Sequence, residues 1–174
     1  MEEKKQSIVA ATLGYGVILG ILVIVFSLIL FLLNVKPGSK LENLSYLIII
    51  AGIIIAQITF RNKQENGLLS YGKSFTVGML TIIFASILIG IWTFIFFRYV
   101  DPGAIETMRQ TAEQKLMDRG MSDAEIDQSM KWVEMFQKPG ILTFFAVFFN
   151  ILIGIVISLI SAIFTKKEIQ SPML

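Results

Sequence analysis

The chain has 174 residues, 55% of them hydrophobic and 16% charged, with a mean hydropathy of +0.73 and a formal net charge of +2. That much apolar surface exceeds what an ordinary soluble domain of this length can bury, so the composition points to a membrane protein. Cysteine and histidine are both absent, which excludes Cys/His zinc sites, cysteine nucleophiles and Ser-His triads, and the near-neutral charge gives no footprint for nucleic acid.

A hydrocarbon core is crossed by roughly 20 apolar residues, and four runs qualify: about 8–33, 44–60, 75–100 and 141–164. The second, at about 17 residues, is at the lower limit, whereas the first and third are long enough to tilt. No charge interrupts a span before Arg98, near the end of the third. The fold expected is all-α: one membrane domain over 1–174, a polytopic four-helix transmembrane bundle with an extracytoplasmic amphipathic helical hairpin at about 101–140, between spans three and four.

Lys4 and Lys5 precede the first run, but that run continues to Leu33 without a small-residue cleavage site, so an uncleaved anchor is expected. Four crossings put both termini on one side. With the termini inside, the inner segments carry Lys4, Lys5, Arg61, Lys63, Lys73, Lys166 and Lys167, all in short stretches. The outer side carries Lys36, Lys40 and six basic residues from Arg98 to Lys138, diluted among eight acidic ones. The raw counts, seven against eight, nearly balance, but density and local net charge favour cytoplasmic termini.

The third span opens on "SYGKSFTVG", Ser70 to Gly78. Tyr71 suits the interface, Lys73 snorkels to the inner surface, and Ser74 and Gly78 begin a stripe of small residues continued by Ser86 and Gly90. Ala146, Asn150, Gly154, Ser158 and Ala162 form a similar stripe on the fourth span; the first span has Gly16 and Gly20, and the second Gly52 and Ala56. Small residues let helix backbones approach, and in lipid that contact is a main source of packing energy. The stretch therefore reads as a helix entry with a packing face, with lipid-headgroup or partner binding by Lys73 as the functional alternative.

The segment from Asp101 to Gly140 is plainly soluble. Ile105, Met108, Ala112 and Leu116 share one helical face before Gly120, a natural stop; Ser122 and Glu125 form a capping box ahead of Ile126, Met130, Val133 and Phe136 on a second face. Pro139-Gly140 ends that helix. Asp118, Asp123, Glu125 and Asp127 lack the spacing of a calcium loop and read as a solvated helix surface.

The four-span layout, the "SYGKSF...G" entry to span three, and the "YVDPG" exit into an acidic helical segment closed by "KPG" resemble domain of unknown function family 4199, small bacterial integral membrane proteins. The likeness covers nearly the whole chain. It implies a bacterial inner-membrane location and carries over no catalytic residues.

No ionisable side chain lies at mid-depth, where pumps and coupled transporters keep theirs. Gln57 and Asn150 remain, and interhelical hydrogen bonding is favoured over a substrate site for both. The outer halves of spans three and four are rich in phenylalanine, including Phe97 and Phe148. Aromatic filling of a splayed end is the plain reading; a lateral pocket for a lipid or other hydrophobic ligand, lidded by the hairpin, is the sharper one. Function is therefore expected to be non-enzymatic and without cofactor or metal: an interaction or structural/regulatory membrane protein, with a small transport or channel component or a hydrophobic-ligand binder as alternatives. The expected partners are membrane lipids and either another protein or a second copy, through the small-residue faces or the 101–140 hairpin.

Overall fold

The computed structural model describes residues 7–35 and 39–168; Lys4, Lys5 and Lys36, which enter the charge argument, lie outside the described residues. Six helices carry the fold: α1 (Ile8–Leu32), α2 (Leu44–Gln64), α3 (Tyr71–Ile95), α4 (Gly103–Asp118), α5 (Asp123–Phe136) and α6 (Pro139–Thr165). There is no strand among the described residues, only one isolated bridge between Leu69 and Lys167. Four segments are long and apolar enough to cross a membrane: Ile8–Leu32, Lys40–Gln64, Tyr71–Val100 and Pro139–Thr165.

Local chemistry explains most of the helix ends. Ser7 accepts from the Ala10 amide at 3.2 Å to start α1, and Ser70 accepts from the Lys73 amide at 3.4 Å to start α3. The second span is longer than its apolar run, because the 3₁₀ turn Lys40–Asn43 leads into α2 and the helix continues beyond Phe60 through Arg61, Asn62 and Lys63. Arg61 and Lys63 in the last turn suit the negative end of the helix dipole. Pro139 does not merely end the helix before it: it is the first residue of α6, where its missing N–H costs nothing.

Span three does not stop cleanly at Ile95. A π-helical turn, Phe96–Val100, follows, with the Asp101 amide bonding the Phe96 carbonyl at 2.9 Å. The Asp101 carboxylate then accepts from the Ala104 amide at 3.0 Å at the start of α4. At the far end of α4, Gly120 has φ 74°, the left-handed backbone that glycine adopts without strain. The Glu125 carboxylate accepts from the Ser122 amide and hydroxyl at 2.9 and 2.7 Å, and these bonds hold its pKa below the ordinary value.

Helix α3 is the axis of the bundle. It packs along α6 on one side and α1 on the other, while α2 leans on all three. Ile49, Ile53, Ile82, Ala85 and Leu19 form one core cluster; Ala56, Phe60, Leu69 and Val77 form part of a second, nearer the termini. The small residues set the helix spacing. A Cβ on Gly16 would stand 2.5 Å from the Phe84 Cβ and 2.8 Å from the Thr81 carbonyl oxygen, and one on Gly154 would run into the Ile82 side chain. These faces are turned towards one another within the chain.

Substituting Gly154 with alanine is expected to cost about 1–3 kcal/mol by overpacking. Because the obstructing atoms belong to Ile82, the G154A/I82A double variant should be more stable than the sum of the single losses by at least about 0.5 kcal/mol. Denaturant unfolding in detergent measures this; strict additivity would contradict the packing described.

Candidate functional site

Two features stand at opposite ends of the bundle. At the end that holds the termini, a buried polar cluster ties three helices together. Gln57 of α2 is wholly buried, and so are Ser74 of α3 and Ser158 of α6. The Gln57 amide nitrogen donates to the Ser74 carbonyl at 3.2 Å and to the Ser158 carbonyl at 3.4 Å, while its oxygen accepts from the Thr165 hydroxyl at 3.1 Å. The Ser74 and Thr165 hydroxyls lie 2.7 Å apart, and Arg61 donates to the Thr165 carbonyl at 3.0 Å.

Gly78 makes room for this cluster. A Cβ there would stand 2.6 Å from the Ser158 hydroxyl and 2.8 Å from the Gln57 amide nitrogen. Around the cluster, Leu69 and Lys167 exchange backbone hydrogen bonds at 2.8 Å each way, and the Tyr71 amide donates to Glu168 at 3.1 Å. Lys73 forms an ion pair with Glu65 at 3.1 Å, with just over half of the lysine side chain exposed. The α2–α3 connection and the end of α6 are thus fastened to each other. The bonds of the Gln57 amide reach α3 and α6 at once, so the cluster locks three helices together.

Asn150 stands apart from Gln57. Its side chain donates to the Ala146 carbonyl of its own helix at 2.8 Å, so the two amides do not line one polar path. Gly154 lies between Asn150 and the lock along α6, against Ile82. Sequence reading missed Thr165 because the apolar run stops at Phe164; the signal was the Ser158, Ser161, Thr165 spacing, which puts three hydroxyls on one helical face.

At the other end, an apolar cavity of about 230 Å³ lies between α1, the start of α2 and the last turns of α3. Its walls include Phe26, Leu30, Phe31, Trp92, Phe96 and Phe97, with Val23 and Ile89 at the buried end and Glu42 and Ser45 at the other. The Trp92 indole donates to the Ser27 hydroxyl at 2.8 Å, and Phe31 meets Phe96 edge-on at 5.4 Å.

Phe97 and Phe148, grouped as walls of one pocket at the outer ends of spans three and four, are placed apart. Phe97 lines the cavity beside α1, whereas Phe148 is 45% exposed and stacks with Phe144 at 6.2 Å on α6. Between α3 and α6 an open groove runs along Gly90, Phe94 and Val147 and includes neither Phe97 nor Phe148. The reason is that α3 and α6 stay close as far out as Gly90, whose missing side chain admits Val147, so the bundle opens between α1 and α2 instead.

The family model described as protein of unknown function (DUF4199) matches residues 14–167, most of the chain, and the chain belongs to that family. No curated protein and no solved structure matches it.

Replacing Gln57 with alanine removes one acceptor of the Thr165 hydroxyl and the donor shared by the Ser74 and Ser158 carbonyls, leaves a gap between three helices, and is expected to lower stability by about 1–3 kcal/mol. Asn150→Leu, which removes only a bond within its own helix, should change stability by less than about 0.5 kcal/mol. Thermal unfolding of the two variants in the same detergent makes the comparison; equal losses would contradict the separation of the two amides.

Proposed function

We propose that this protein is a multi-pass, non-enzymatic interaction or regulatory protein of the bacterial cytoplasmic membrane, with both termini cytoplasmic and the α4–α5 pair presented outside to a partner protein. The observation that carries this reading is the uneven burial of that pair. Ile126 and Met130 are buried, yet Trp132 is 59% exposed, and Met117, Met135 and Phe136 also present apolar surface. Trp132 and Phe136 stack at 6.5 Å, and Phe136 meets Phe145 of α6 at 5.4 Å, so the exposed aromatic surface continues onto the span.

Charge favours a protein over a lipid surface as the occupant. Residues 101–140 hold five Lys/Arg and eight Asp/Glu, a net charge of 5 − 8 = −3. Anionic headgroups repel such a segment, whereas a partner with basic residues around an apolar patch complements it. The orientation is supported by Arg61, Lys63, Lys73, Lys166 and Lys167 gathering at the end that carries the lock. A non-enzymatic role is supported by the way the Gln57 amide and the Ser74 and Thr165 hydroxyls are engaged with one another.

The chain has no cysteine, so single cysteines report topology directly. Ser122→Cys is expected to react with a membrane-impermeant maleimide in intact cells, and Asn62→Cys only after permeabilisation; the reverse pattern would overturn the orientation. A photoreactive residue at position 132 should then yield a discrete protein adduct that weakens at raised salt and is absent from position 164. Adducts to lipid or to this chain alone would contradict the partner assignment.

A further inference from the structure

We propose that the cavity between α1, α2 and α3 is a binding site for one acyl chain of a membrane phospholipid. The proposal is separate from the role given to the α4–α5 pair and does not depend on it.

The shape comes first. On α1 the wall runs from Val23 to Phe31, eight residues on and hence about 12 Å of helix axis, and Val35, just past the helix end, extends it. A volume of about 230 Å³ distributed along that length describes a slot rather than a round chamber, which fits an extended chain better than a compact ring system. The slot is closed at the deep end by buried Val23 and Ile89 and lies within the length of two candidate spans. Its walls at Phe26, Leu30, Phe31 and Phe97 are only half-buried, so it opens along the side of the bundle, where bilayer chains are the most concentrated apolar ligand.

The polar groups of the slot support the same occupant. Midway along it, the Trp92 N–H is taken by Ser27 at 2.8 Å and the Thr93 hydroxyl by the Ile89 carbonyl at 2.8 Å. With those donors satisfied inside the protein, water has few partners there, and a dry apolar cavity of this size is filled by hydrocarbon. Polar atoms appear at the shallow end, where Glu42 and Ser45 belong to the start of the second span, the level at which a headgroup would sit.

Trp92 is a built-in reporter, because the chain has only two tryptophans. In a Trp132→Phe background, the intact protein is reconstituted into phosphatidylcholine vesicles containing a rising fraction of phospholipid with brominated acyl chains. The expected result is quenching of Trp92 that saturates at a bromolipid fraction several-fold lower than in a variant whose slot is filled by Leu30→Phe and Thr93→Phe. Should that double variant fail to fold, Ser45→Phe at the mouth serves as the blocked form. Quenching that follows the bulk bromolipid fraction equally in open and blocked proteins would overturn the proposal. Stronger quenching by a brominated free fatty acid than by phospholipid, at equal chain content, would overturn the phospholipid assignment.

Discussion

The amide of Gln57 has to be paired. Buried without partners in a low-dielectric interior, such a group costs on the order of several kcal/mol, and its bonds to Ser74, Ser158 and Thr165 reach two other helices at once. That requirement fixes much else. Gly78 has no side chain because the Gln57 amide and the Ser158 hydroxyl occupy the space one would need. The α2–α3 connection is held against the end of α6, and the bridge between Leu69 and Lys167 becomes geometrically available.

The rest of the bundle follows from that closed end. Small residues keep α3 close to α6 out to Gly90 and close to α1 near Gly16, so aromatic bulk has to be accommodated farther along. Phe31, Trp92, Phe96 and Phe97 crowd the far end beside α1, and the phenylalanines of α6 stack along their own helix. The slot lies where those rings do not fill the gap between α1 and α2. The π-helical turn at the end of span three then leads the chain into α4. One end of the molecule is therefore a scaffold, and the surfaces proposed for a partner and for lipid both belong to the other.

Helix existence was legible in the sequence because apolar run length and capping residues are local properties: Ser70, Gly120 and the Ser122–Glu125 pair mark their elements directly. The extent of α2 was not, because a helix does not end where its hydrophobicity ends, and Arg61 and Lys63 are good helix formers. Gln57 stood out as a polar residue inside a span, but its partners did not. Two of them are backbone carbonyls, which carry no sequence signal, and the third, Thr165, lies just past the apolar run. Phe97 and Phe148 were grouped by composition, yet which helices diverge depends on where glycines admit a neighbour, and Gly90 facing Val147 is a long-range fact.

The central claim is that the end holding the termini is locked and the opposite end is not. Hydrogen exchange followed by mass spectrometry, with the protein in lipid nanodiscs, tests it most directly. The account predicts strong protection of the amides of Leu69 and Lys167, which bond each other, and exchange that is orders of magnitude faster across Phe96–Val100 and through α4 and α5. Equal protection at both ends, or fast exchange at Leu69 and Lys167 with a protected α4–α5 pair, would contradict it.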